Sequence, residues 1–145
     1  MNPDKLLGQV RKNIADIPHI SGVNNHMGSK LTASADQMNQ IFTILKKEHL
    51  FFIDSKTAIK SQGKASARLL KLRFAQRDVF LDNFQDIEYI TGQFNQLIKM
   101  AERNGTAIGI GHPYEATLEA LARLLPKLKN RIKVVKASEL THIPG

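Results

Sequence analysis

The chain has 145 residues, 42% of them hydrophobic and 23% charged, the balance of an ordinary globular protein rather than a disordered one. It contains no cysteine, which excludes disulfides, thiolate metal sites and cysteine nucleophiles. The formal net charge of +8 favours polyanionic partners, yet the cations are scattered. Their densest group is Lys127, Lys129, Arg131, Lys133 and Lys136, which reads either as a solvated basic face or as a polyanion-binding surface.

Asn2-Pro3 is a helix start, a cap followed by proline at the first helical position. Leu6, Leu7, Val10 and Ile14 then share one helical face, and Pro18 ends the helix. Ile20–Val23 is a short strand candidate. Ser34 with Gln37 forms a capping box ahead of Met38, Ile41, Phe42 and Leu45 at helical spacing. Leu50–Ile53 is a continuous apolar run, as expected for a strand buried on both faces. A weaker helix runs from Ser61 to about Leu72, and Val79–Leu81 is a third strand. Ile87, Ile90, Phe94, Leu97, Ile98 and Ala101 mark the clearest helix, stopped by Asn104-Gly105. Thr106–Ile110 reads as a fourth buried strand, Glu115 to Leu124 as a helix broken near Pro126, and Ile132–Val135 as the last strand. No apolar run is long enough to span a membrane. Met1 to Asp4 lead straight into a helical pattern, so no signal peptide is visible.

Alternating strands and helices of these lengths predict an α/β fold, a parallel sheet with alternating helices, in a single domain over residues 1–145. The handed crossover rule places every strand's C-terminal end on one edge. Polar clusters follow the strands: Asn24-Asn25-His26-Met27-Gly28-Ser29, then Asp54-Ser55-Lys56-Thr57, then Asp82-Asn83, then Gly111-His112-Pro113-Tyr114. In parallel α/β folds that edge holds the active site.

Each polar residue has more than one reading. His26 suits a divalent metal or a loop histidine bonded to backbone. His112, after two glycines, suits a general acid or base, or a cap on the next helix. Asp54 could ligate a metal, orient a histidine or cap a helix. Arg77 and Asp78, just before the third strand, suit an ion pair or the orientation of an acid. Asp82-Asn83 could cap the following helix. His19, His49 and His142 stand without polar company. No dinucleotide fingerprint, P-loop lysine or zincin pair of histidines is present.

In this order the clusters resemble the divergent polysaccharide deacetylases, relatives of the NodB-like deacetylases. The matching pieces are Gly22 to Ser29, Leu50 to Thr57, Arg77 to Asn83 and Ile110 to Tyr114, within a likeness running from about Pro18 to Leu140. The resemblance implies a distorted β/α barrel or related α/β fold. It also implies a divalent metal, commonly zinc, and hydrolysis of an acetamide, a linear amide C–N bond, on a sugar polymer. By that resemblance His26 corresponds to a metal ligand and His112 to the general acid. Arg77 and Asp78 correspond to the pair that tunes the acid, and Asn24, Asn25, Ser29, Asp54, Ser55, Asp82 and Asn83 to cleft residues. It further implies a cell-envelope or secreted location.

One departure stands out. The family's opening strand with paired aspartates, and a second strand with another histidine, have no counterpart here. The three protein ligands expected of a catalytic zinc fall to one. The expectation is therefore a C-terminal part of such a domain, or a relative without catalysis, with an exposed sheet edge that promotes self-association. Two rivals remain open: a non-catalytic cell-envelope carbohydrate-binding module, and a basic α/β protein that binds nucleic acid. The sparse aromatics and the lack of a nucleic-acid motif argue against the last.

Overall fold

The structure, a computed structural model, describes residues 2–26 and 29–145, with the backbone alone for Ser29. The chain divides into two compact units, residues 1–76 with 137–145, and residues 77–136.

In the first unit the elements are α1 (Pro3–Ala15), β1 (Gly22–Asn24), α2 (Ser29–Thr32), α3 (Ala35–Lys47), β2 (Phe51–Asp54), α4 (Gly63–Leu70) and β3 (Phe74–Gln76). The Asn2 side chain accepts the Asp4 backbone N–H at 2.8 Å and so caps α1, with Pro3 at the position where a missing N–H costs nothing. Ser34 caps α3 by accepting from the Gln37 N–H at 3.4 Å. The predicted face of α3 is buried: Met38, Ile41, Phe42 and Leu45 pack with Phe52 and Phe74. Phe42 and Phe52 meet at 4.8 Å between ring centroids, an aromatic contact that adds to the area buried. Leu6, Val10 and Ile14 of α1 lie half-buried against this core.

The sheet order is β1-β2-β3, all parallel, with Val23 opposite Phe52 and Ile53 opposite Ala75. Strand β3 is absent from the sequence-based expectation. Phe74-Ala75-Gln76 is too short to show a period, and it lies just beyond a helix end closed by Lys71 in the left-handed conformation. His142, without polar company in the sequence, has a backbone role: its N–H and C=O bond Phe74 in an antiparallel bridge.

The second unit contains β4 (Val79–Phe80), α5 (Ile87–Asn104), β5 (Gly109–Ile110) and α6 (Glu115–Leu124). Strands β4 and β5 pair in parallel, Val79 opposite Gly109 and Phe80 opposite Ile110. Asp86 caps α5 by accepting the Tyr89 N–H at 2.9 Å. Gly105 closes the helix at φ 89°, a conformation that favours glycine. Val79, Leu81, Ile90, Phe94, Ile98, Ala120 and Leu128 form the core. Pro126 falls in the 3-10 turn Leu125–Lys127 that ends α6.

Two expected strands change. Thr106–Ile110 contributes only Gly109–Ile110 to a strand, half-buried rather than buried. Ile132–Val135 is not a strand: no described strand pairs with it, and Val134 is 68% exposed. The alternation of lysine with branched residues supplies β propensity, but propensity without a neighbouring ladder does not make a strand.

Candidate functional site

The loop after β1 and the loop after β2 are tied into one polar cluster. The Asn24 amide donates to the Ile53 carbonyl at 2.7 Å and to Ser55 Oγ at 2.9 Å. Asn25 Oδ1 accepts the Ser55 N–H at 2.7 Å, and the Ser55 hydroxyl donates back to the Asn25 carbonyl at 2.6 Å. Asn25 Nδ2 also reaches Asp54 Oδ1 at 3.4 Å. Asp54 is fully buried at the end of β2. Its Oδ1 accepts the Lys56 N–H at 2.8 Å, and its Oδ2 accepts the Ser61 hydroxyl at 2.6 Å. Ser61 Oγ in turn accepts the Gly63 N–H at 3.2 Å at the start of α4. Asp54 thus reaches the start of α4 only through Ser61, and the N-cap position Gln62 makes no side-chain capping bond. Gly63 is required here, because a Cβ would stand 2.8 Å from Asp54 Oδ2 and 3.1 Å from the Phe74 ring.

His26 lies in the exposed loop beyond β1. Met27, Gly28 and the Ser29 side chain lie outside the described residues. Below Asn24 and Asn25, a cavity of about 350 Å³ opens between α1 and the sheet, walled by Val10, Ile14, Val23, Met38 and Phe52.

In the second unit the loops after β4 and β5 are joined through Asp82, whose side chain is 1% exposed. Asp82 Oδ1 lies 2.9 Å from His112 Nδ1. Asp82 Oδ2 accepts the His112 backbone N–H at 2.5 Å and the Thr117 hydroxyl at 2.7 Å. Burial pushes the Asp82 carboxyl up, but the bonds from the His112 backbone, the His112 ring and Thr117, with the ring's charge, outweigh it. The net effect is a carboxyl held below its ordinary value. An ionised carboxylate only accepts, so Nδ1 is the donor in this pair. The ring, 34% exposed, stacks on Tyr114 at 5.1 Å. Gly111 lets the strand end pass close to Asp82, since a Cβ would stand 3.3 Å from Oδ2.

Arg77 and Asp78 enter β4, whereas Asp82 leaves it. Asp78 Oδ2 accepts the Ile108 N–H at 2.7 Å, and the Arg77 guanidinium lies 3.9 Å over the Phe80 ring. Asn83 is exposed beside Asp82. The structure thus joins Asn24, Asn25, Asp54 and Ser55 in one cluster, and Asp82 and His112 in another. Sequence reasoning missed Ser61 and Thr117, because a serine or threonine near a helix start signals nothing until its partner is known.

Among the described residues, no group of three or more histidine, cysteine, aspartate or glutamate side chains could hold a metal ion. Both oxygens of Asp54 and both of Asp82 already accept hydrogen bonds. The described residues therefore do not fit a catalytic zinc site, which takes three protein ligands.

Parallel strands alternating with helices, with polar clusters beyond the strand ends of each sheet, define an α/β protein. A solved structure, of an uncharacterized protein from Agrobacterium tumefaciens C58, has this fold: TM-score 0.84 at 24% identity, covering 90% of this chain and 56% of that one. The pattern of the family described as divergent polysaccharide deacetylase matches residues 1–141, and the chain belongs to that family. It is 37% identical over 144 residues to the uncharacterized protein YibQ of Escherichia coli K12, covering 99% of this chain and 45% of YibQ. It is 38% identical over 119 residues to an uncharacterized protein of Haemophilus influenzae, covering 82% of this chain and 42% of that protein. The chain thus spans less than half the length of these curated relatives.

Proposed function

We propose that the chain carries the proton-donating part of a deacetylase that removes N-acetyl groups from a sugar polymer of the cell envelope. The observation behind this reading is the Asp82–His112 pair. A buried carboxylate holds Nδ1 of the ring, which is itself partly exposed. Amide hydrolysis adds water to the carbonyl carbon, breaks the C–N bond and releases acetate and an amine. The amine is a poor leaving group until protonated, and His112 supplies that proton. Such proton transfer contributes about 10²–10⁴-fold in rate. Asp78 fixes Ile108, and with it the start of the segment that leads through β5 to His112. Asp78 is therefore a positioning residue in this reading, and Arg77 is proposed beside it on the family resemblance alone. Asn24, Asn25 and Ser55 in the first unit, and Asn83 in the second, are each proposed as sugar-contacting residues of their own unit.

A divalent metal such as zinc belongs to the family's chemistry as the resemblance implies it, with His26 proposed as one ligand. No step is assigned to it, because the described residues do not complete its coordination. That same observation favours a second reading, a carbohydrate-binding module without catalysis.

The test is acetate release from N-acetylglucosamine oligomers and peptidoglycan fragments. Release that falls about 100-fold or more in His112→Ala supports the deacetylase. Oligomer binding without any acetate release supports the module instead. Binding that no sugar competes, and that weakens steeply with salt, would point to a polyanion partner and overturn both.

A further inference from the structure

Phe84 is a large apolar side chain left 66% exposed two residues beyond the buried Asp82. It is not on a frayed segment. Asp82 anchors one end of its loop through three hydrogen bonds. The other end is fixed by Asp86, whose N–H donates to the Phe84 carbonyl at 2.9 Å and whose carboxylate caps α5. The ring is held from the side by Tyr89, edge to face, with centroids 5.0 Å apart and planes at 79°. This contact uses one edge of the aromatic pair and leaves ring surface in water. Asn83 stands exposed between Asp82 and Phe84, with an amide that can both donate and accept.

A largely exposed aromatic ring on a braced loop, next to a polar amide, is a complementary surface for a pyranose ring. A sugar has one face of C–H groups and a rim of hydroxyls. The C–H groups carry slight positive charge and pack on the negative face of an aromatic ring, while the hydroxyls need amide or hydroxyl partners. A preformed platform also avoids the entropy cost of ordering a loop on binding. We propose that Phe84, braced by Tyr89 and flanked by Asn83, is a sugar-stacking platform that seats one N-acetylated pyranose of the polymer beside His112. The inference rests on the carbohydrate reading above and adds a specificity-determining residue to it.

The chain has no tryptophan, so the variant Phe84→Trp carries a single emission reporter at the platform. The probe is the tetramer of β-1,4-linked N-acetylglucosamine, titrated into the wild-type chain, Phe84→Ala and Phe84→Trp by calorimetry, with emission followed in the last. The expected result is binding by wild type, about tenfold weaker binding in Phe84→Ala, and retained binding with a shift of emission in Phe84→Trp. Equal affinity in wild type and Phe84→Ala, with silent emission, would overturn the platform and leave the carbohydrate reading standing. Absence of binding by the wild-type chain would overturn both. Because Phe84 is largely exposed and outside the core, its replacement should leave unfolding by urea unchanged, which separates a binding effect from loss of the fold.

Discussion

Asp82 shows how one buried residue couples stability to the proposed chemistry. Its carboxyl is held below the ordinary aspartate value in the folded chain. The unfolded state therefore binds a proton more readily as pH falls, and acid favours unfolding. The stability Asp82 contributes is fully present above the unfolded value of about 3.9 and is lost as pH drops through the lower folded value. Urea unfolding across this window should show that decline in wild type and a shallower one in Asp82→Asn. At neutral pH the same variant should be less stable by roughly 1–3 kcal/mol, because the amide cannot accept from His112 and Thr117 as the carboxylate does. An Asp82→Asn variant with unchanged stability and an unchanged acid limb would mean the pair is ornamental. Both partners could be singled out in the sequence, each beyond a strand end. Their pairing could not, since the two lie 30 positions apart with no signal of register between them.

At the scale of elements, the helices follow from local chemistry. Asp86 supplies a side-chain acceptor to an orphan N–H of α5, and Asp86→Ala should lower stability by about 1 kcal/mol in urea unfolding. The same substitution frees the loop holding Phe84. It should therefore also weaken binding of the oligomer used above, which a purely capping role would not do. Helices α1, α3 and α5 were legible from their 3.6-residue period with a cap or a stop, although the cap of α5 is Asp86 rather than the Asp82-Asn83 pair read from the sequence, and α6 was read without a cap. The strands were less so. Two or three residues show no period, and Ile132–Val135 has the composition of a strand without a partner. Whether such a segment pairs is decided by what lies next to it.

At the scale of the whole molecule, the chain spans less than half the length of its curated relatives, and its described residues include no group of three or more side chains that could hold a metal ion. Zinc titration of this chain should accordingly show weak, substoichiometric uptake at micromolar free metal. Stoichiometric zinc that is lost in His26→Ala would instead show a closed site built on that loop. The formal net charge of +8 belongs to this scale as well. Among the described residues, no helix is long and apolar enough to cross a membrane.

The sequence by itself determined the alternation of helices and strands, the helix ends, the polar clusters beyond the strands and the family resemblance. All of these rest on spacing along the chain, where caps, periods and motifs act over a few residues. Tertiary structure alone decided that Asp54 serves α4 through Ser61 rather than standing open, that Asp82 grips His112 and Thr117, that Phe74-Ala75-Gln76 is a strand, and that Phe84 stays in water. Those outcomes depend on which distant groups become neighbours. A buried carboxylate takes whatever donors the packing brings to it, and a short apolar segment is strand, core or platform according to what covers it.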